Sequence, residues 1–323
     1  MIESNVLILL GNGYNRALGL RTSYADFGSH FFTHVDCEDS ALNNFLVNSF
    51  TKDPRNWSDM EGEIKKFALT YNLSEISFEV EMRYFDRLIR DVGLYMDGEV
   101  KYQFLCNKIQ KRSDVQETLP MFMFQVILNR QDYHYKVLSF NYTDMDPILE
   151  ELGSVLHPLE TDFESLDSDA KRDYLYKIHS IVDVEYLHLS GKKCILGIDD
   201  DSRIHPDFNF LKKAYQFGET SHYPQGVEQY KTIIAYGLSL GDTDSDFCRI
   251  LFEGVLERNR KDNPRFLFIT KNEEGKIGIL NNLVRRLNVN LSTIQRHLDY
   301  EFIVVDNQMK SDMRSSLLYA LTC

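Results

Sequence analysis

The sequence predicts an α/β fold, a parallel sheet carrying one large helical insertion. Three observations predict it. A short apolar run, Val6-Leu7-Ile8-Leu9-Leu10, ends abruptly in Gly11-Asn12-Gly13, as a buried parallel strand does on entering a tight loop. Further apolar runs of strand length at 136–140, 232–236, 265–270 and 301–305 alternate with helix-patterned segments. Between the first and second runs, about 41–131, the apolar residues recur at helical spacing, so this stretch is expected to be a helical insertion or lid. No internal repeat or low-complexity linker divides the 323 residues, which are expected to form a single domain over 1–323.

The first strand, loop and following segment Arg16-Ala17-Leu18 have the makings of a phosphate site. Glycines let the backbone approach closely, and unpaired N–H groups at a helix N-terminus face an anion. A dinucleotide fingerprint wants a third glycine three residues after the second, where Arg16 stands, so an ordinary dehydrogenase loop is disfavoured. A strand-to-helix turn without a ligand is the competing reading. Next, Thr22 or Ser23 suits a helix N-cap with Asp26 in the first turn.

Within the insertion, Leu42, Phe45, Leu46 and Phe50 form a helical stripe, and Ser58 with Glu61 has the spacing of a capping box. Trp57 and Glu61 could face the site, but burial or capping is the expectation for both. Pro120 interrupts the pattern before Met121. The second strand ends in Asn141-Tyr142-Thr143-Asp144. Asn141 lies where open α/β sheets bind ligands, and Asp144 suits a cap. Residues 160–173 read as a polar surface excursion. Residues 182–189 and 194–198 read as the two strands of a hairpin, and Asp199-Asp200-Asp201 as a solvated turn. The strand at 232–236 runs into Gly237-Leu238-Ser239-Leu240-Gly241-Asp242. There Ser239 can donate to a phosphate or ribose, and Asp242 or Asp244 suits a cap. Helices are expected at 277–287 and 309–321.

Composition narrows the function classes. A net charge of −13 argues against a nucleic-acid backbone as partner, though not against a nucleotide held on backbone amides. Five scattered cysteines, with no Cys-x-x-Cys pair and no His–Cys cluster of zinc spacing, point to reduced thiols in a cytoplasm and to no metal. The early acid Glu3 and the lack of a basic opening argue against a signal peptide. No apolar run approaches the ~20 residues that span a bilayer.

Three strand-end motifs stand together: Gly11-Asn12-Gly13-Tyr14-Asn15 with Thr22-Ser23-Tyr24-Ala25-Asp26-Phe27, Phe140-Asn141-Tyr142-Thr143, and Tyr236-Gly237-Leu238-Ser239-Leu240 with Asp242 and Asp244. This set resembles the bacteriophage abortive-infection AbiH family. The resemblance implies a Rossmann-like, sirtuin-like fold and a defence protein that cleaves NAD+ at the nicotinamide–ribose bond. It implies Gly11, Asn12 and Gly13 as the phosphate loop and Gly237 and Ser239 on the adenosine side, with Asn15, Ser23 and Asp242 also cofactor-binding. It implies Asn141 as the residue holding ribose or water, leaving His188 as the candidate base. Expected partners are NAD or a related nucleotide, a phage-derived or defence-system trigger, and a second copy of the chain.

This chain departs from the family pattern at three charged or titratable positions. Tyr14-Asn15 replaces Phe-Asp, Ser190 replaces the histidine of His-x-His-Gly nearest the glycine, and Leu238 replaces the histidine of Gly-His-Ser-Leu. On a regular strand His188 would share a face with Ser190. The departures keep two alternatives open: a catalytically impaired sensor of NAD or ADP-ribose, and an assembly module of a defence system.

Overall fold

The computed structural model describes residues 2–34, 40–53, 59–72, 74, 76–105, 119–130, 132–149, 168–190, 193–199, 201–217, 229–241, 245–256, 262–305 and 311–322. In chain order the elements begin with β1 (Ile2–Leu10), α1 (Asn12–Ala17), α2 (Tyr24–His34), α3 (Ala41–Lys52), α4 (Met60–Thr70), α5 (Phe78–Leu105) and α6 (Leu119–Leu128). There follow β2 (Tyr133–Ser139), α7 (Ser168–Ile181), β3 (Val182–Tyr186), β4 (Leu189–Ser190), β5 (Lys193–Cys194), a 3-10 turn (Pro206–Leu211) and α8 (Lys213–Phe217). The chain continues with β6 (Thr232–Tyr236), α9 (Ser245–Leu256), β7 (Arg265–Thr270), α10 (Glu273–Leu287), α11 (Leu291–His297), β8 (Asp299–Val304) and α12 (Ser311–Thr322).

Six strands form one parallel sheet in the order β3-β2-β1-β6-β7-β8. Counted along the sheet's own strands this is 3-2-1-4-5-6, the order of a doubly wound, Rossmann-like fold. Helices cover both faces, which is why β6 is buried at every position and reads as an uninterrupted apolar run. On one face Val6, Ile8 and Leu10 pack with Tyr14, α6, α7 and α12. On the other, Leu7 and Leu9 pack with α9, α10 and α11.

The helical insertion has a core of its own. Phe27 and Phe31 of α2 join Leu42, Leu46, Met60, Phe67 and Phe85, and the wall is closed by residues 194–211, among them Leu196, Phe208 and Leu211. This helical body therefore recruits α2 and a much later segment, while α6, with Pro120 in its first turn, packs against the sheet. The buried carboxylate of Glu81 fixes the start of α3: it accepts from the Ser40 hydroxyl at 2.7 Å and from the Ala41 and Leu42 amides, each at 2.9 Å.

Four local expectations are corrected. Residues 168–173 open the crossover helix α7, although Asp169, Arg172 and Asp173 are solvent-exposed as expected; residues 150–167 lie outside the described ones. The strand at 182 stops at Tyr186 in the parallel sheet, and only the two-residue ladder Leu189–Ser190 with Lys193–Cys194 forms the hairpin. Asp199 is buried, and Asp201 is paired with Lys65 and Arg203, so the acidic turn is not simply solvated; Asp200 lies outside the described residues. Helix α10 starts at Glu273, ahead of the expected 277, because Asn272 caps it by accepting from the Gly275 amide.

Candidate functional site

The sheet order reverses direction between β1 and β6, and a crevice opens there at the carboxyl ends of the strands. Two glycine-bearing tips meet at this switch point. The Gly11 amide donates to the Tyr236 carbonyl at 2.9 Å, the Gly13 amide to the Gly237 carbonyl at 3.1 Å, and the Gly237 amide to the Ile269 carbonyl at 2.9 Å. A Cβ on Gly13 would lie 2.6 Å from the Gly237 Cα, and one on Gly237 would lie 2.4 Å from the Gly13 Cα. Gly237 also has φ +62°, which L side chains rarely adopt. The glycines are thus required by the approach of the two loops to each other. Because the Gly11 and Gly13 amides are engaged within the protein, a phosphate here would have to use other donors.

The crevice encloses about 670 Å3, within the ~300–1,000 Å3 of small-ligand sites. Its wall brings together Gly11, Asn12, Gly13 and Asn15 from the first tip, Asn141 from the second, His188, and Gly237 with Ser239. The tips are cross-linked by side chains. Asn15 Nδ2 donates to Thr143 Oγ1 at 2.6 Å, and Asn141 Nδ2 reaches the Leu10 carbonyl at 3.4 Å. Both asparagines are 1% exposed, yet the Oδ1 atom of each has no protein partner. A buried acceptor left unpaired costs about 1–3 kcal/mol, and both of these belong to residues that line the cleft.

The other expected site residues divide. Asn12 lines the cleft and accepts from the Thr22 hydroxyl at 2.5 Å. Ser23 is not brought to the cleft wall. Its hydroxyl accepts from the Asp26 amide at 3.1 Å while the Ser23 amide donates to Asp26 Oδ2 at 3.2 Å, a reciprocal cap of α2. Ser239 is exposed on the rim, with its carbonyl held by Asn282 Nδ2 at 2.9 Å. The following Leu240 takes φ +53°, a strained conformation for a leucine and of the kind that clusters at binding sites. Leu238 contributes a buried apolar wall. Asp242, Asp244, Ser58 and Trp57 lie outside the described residues.

His188 follows β3 rather than lying in a strand with Ser190, so the shared-face argument does not apply; the Ser190 side chain is outside the described set. The His188 backbone is fixed by the Ile195 amide, which donates to its carbonyl at 2.9 Å. Its ring stacks on Tyr142 at 4.9 Å between centroids, and Nε2 lies 3.1 Å from Lys213 Nζ. Burial, reinforced by the Lys213 charge and opposed by a hydrogen bond to the Phe140 backbone, holds the imidazole well below its ordinary pKa. His188 thus turns Nε2 to Lys213 Nζ in a buried setting that disfavours its protonation, which makes it a packed histidine and a poor base.

Near that ring stands Glu61, a residue expected to be buried or to cap a helix. Asp59, not Ser58, caps α4, accepting from the Gly62 amide at 2.8 Å, which releases Glu61 to point inward. Glu61 is 2% exposed. Its Oε1 accepts from Tyr142 Oη at 2.8 Å and from the Gly197 amide at 3.0 Å, and its Oε2 lies 3.3 Å from Lys213 Nζ. Burial raises the carboxyl above the ordinary range, while Lys213, Gly197 and Tyr142 pull it back. Glu61 and Tyr24 line the cleft, as do Thr270, Lys271 and Asn272 at the tip of β7 and Asn282 within α10. The β7 set had a legible signal, a polar Thr-Lys-Asn directly after an apolar strand. Lys213 had none, since its partners are 152 and 25 residues away.

Among the described residues, no group of three His, Cys, Asp or Glu side chains is arranged to hold a metal ion, and no helix is long and apolar enough to cross a membrane. The sequence model of the family described as bacteriophage abortive infection AbiH matches residues 7–269. The chain belongs to the AbiH family. The AbiH match runs from within β1 to within β7, so it contains the tips bearing Gly13, Asn141, His188 and Ser239; the cleft residues from Thr270 onward lie beyond it. Comparison with curated proteins finds no match to this AbiH chain, and comparison with solved structures finds none.

Proposed function

We propose that this protein, whose AbiH membership gives it a role in phage abortive infection, carries out that role by binding NAD+ in the switch-point cleft and hydrolysing its nicotinamide–ribose bond. One observation supports the reading: Asn141, whose Oδ1 is buried without a protein partner, is a residue of the same cleft wall as the two glycine tips. An amide oxygen there accepts from a water or a ribose hydroxyl and sets its direction. Water adds to the sugar carbon as the C–N bond breaks; nicotinamide leaves neutral, ADP-ribose forms, and the proton of the attacking water passes to solvent. Because the leaving group is neutral, the step needs no general acid. A weakened base costs about 10²–10⁴-fold in rate without abolishing the reaction. The sirtuin-like reading of the fold belongs to this proposal, supported by the strand order and by Asn141 at the end of the second sheet strand.

A second reading, a sensor that binds NAD+ or ADP-ribose without turnover, is favoured by His188 Nε2 facing Lys213. Incubation with NAD+ while free nicotinamide is followed separates the two. The hydrolase reading predicts release that falls at least about 100-fold in Asn141→Ala. Equal release from both proteins removes Asn141 from the chemistry, and binding without any release selects the sensor.

A further inference from the structure

The wall of the cleft beside Asn141 is both aromatic and acidic. Tyr24, Tyr142 and His188 present rings, and Asp59 and Glu61 present carboxylates. Tyr24 and Tyr142 lie 5.6 Å apart between centroids, and Tyr142 stacks on His188. The one buried cation of this network, Lys213, is not part of the wall. It sits behind Glu61 and His188, within 3.3 Å of the carboxylate and 3.1 Å of the imidazole. Glu61 is thus a cleft-lining residue while the cation paired with it is not; the cations of the wall itself are Arg16, Lys271 and Arg285. A carboxylate 2% exposed is not held there for solubility, and replacing a buried ion pair by apolar residues is often neutral or stabilising. Aromatic faces and a poorly hydrated carboxylate together form a receptor for a flat cation.

Resting on the reading of the cleft as a NAD+ site, we propose that Glu61 is its specificity-determining residue, selecting the oxidised, positively charged pyridinium ring over the uncharged dihydropyridine of NADH. In hydrolysis the same carboxylate would face the positive charge that passes from the pyridinium to the ribosyl carbon. The groups facing Glu61 from neighbouring elements are Lys213, Tyr142, Tyr24, Asp59 and Cys194. Of these, Lys213 is the positive charge that opposes the selection at Glu61, and Arg16, Lys271 and Arg285 oppose it from elsewhere on the cleft wall.

The test is calorimetric titration of the full chain with three probes: the non-hydrolysable carbocyclic analogue of NAD+, which keeps the pyridinium charge, NADH, and ADP-ribose, which lacks the ring. The wild-type protein is expected to bind the cationic analogue at least about tenfold more tightly than NADH. In Glu61→Gln, which still accepts from Tyr142 and Gly197, this ratio is expected to fall toward unity with ADP-ribose affinity unchanged. Glu61→Gln removes the carboxylate 3.3 Å from the buried Lys213 ammonium, so the double variant Glu61→Gln/Lys213→Met carries the same comparison without that broken pair. A preserved ratio in either folded variant overturns the proposal, as does equal weakening of all three probes, which would mark Glu61 as structural. Failure of the wild-type protein to bind any of the three overturns the NAD+ reading itself, and this inference with it.

Discussion

The amide of Gly13 donates to the carbonyl of Gly237 at 3.1 Å, across 224 residues of chain. The two backbones touch where the sheet reverses its winding. That contact, rather than a ligand, is what first demands the glycines, and it draws the β1 and β6 tips into one wall.

Substituting Gly237 by alanine forces a Cβ to within 2.4 Å of the Gly13 Cα at a φ of +62°. The left-handed strain alone costs about 1–3 kcal/mol, and the overlap adds to it. Chemical denaturation is expected to show at least that loss. Gly98→Ala is the control: nothing lies within 4 Å of its added Cβ, and it sits inside α5. There the same change is expected to stabilise by about 0.5–1 kcal/mol.

Thr143→Val removes the acceptor of Asn15 Nδ2, a 2.6 Å bond between two buried side chains. The orphaned amide is expected to cost about 1–3 kcal/mol of stability. In the Asn15→Leu/Thr143→Val pair the loss is expected to be smaller than the sum of the single losses, which a double-mutant cycle by urea denaturation reads directly.

His188 couples the cleft to pH. Its folded-state pKa lies well below the unfolded value, because of burial and then Lys213. The unfolded chain therefore takes up a proton as pH falls through about 6.5, while the native state does not. The stability this site contributes is present above that pH and is lost as pH falls below it toward the folded pKa. The melting temperature of His188→Gln is expected to fall less steeply than that of the wild type on moving from about pH 7 to pH 5. Glu61, raised by burial, acts with the opposite sign, so the informative quantity is the difference between the two proteins.

The sheet was largely legible because a parallel strand buried on both faces is an unbroken apolar run, and the runs at Val6, Ile233 and Leu267 all became central strands. The tips were legible for a related reason: Gly13, Asn141 and Ser239 stand directly after such runs, and they do converge on one cleft. What escaped is what non-local packing decides. Glu61 has the spacing of a capping residue, yet Asp59 took the cap and freed it for a buried network with Tyr142, Gly197 and Lys213. Ser23 forms the cap with Asp26 that its spacing predicts, and does not line the cleft. His188 was found, but its neighbour Lys213 lies on a five-residue helix with no periodic signal, and that neighbour changes what the imidazole can do.

Amide hydrogen exchange with and without NAD+ tests the central claim most directly, since it reports on every strand tip in one experiment. Saturating NAD+ is expected to slow exchange together in the segments 12–16, 141–143 and 237–241, while α12, remote from the cleft wall, stays unchanged. No change at any tip, or slowing confined to one of the three, would contradict a shared dinucleotide cleft.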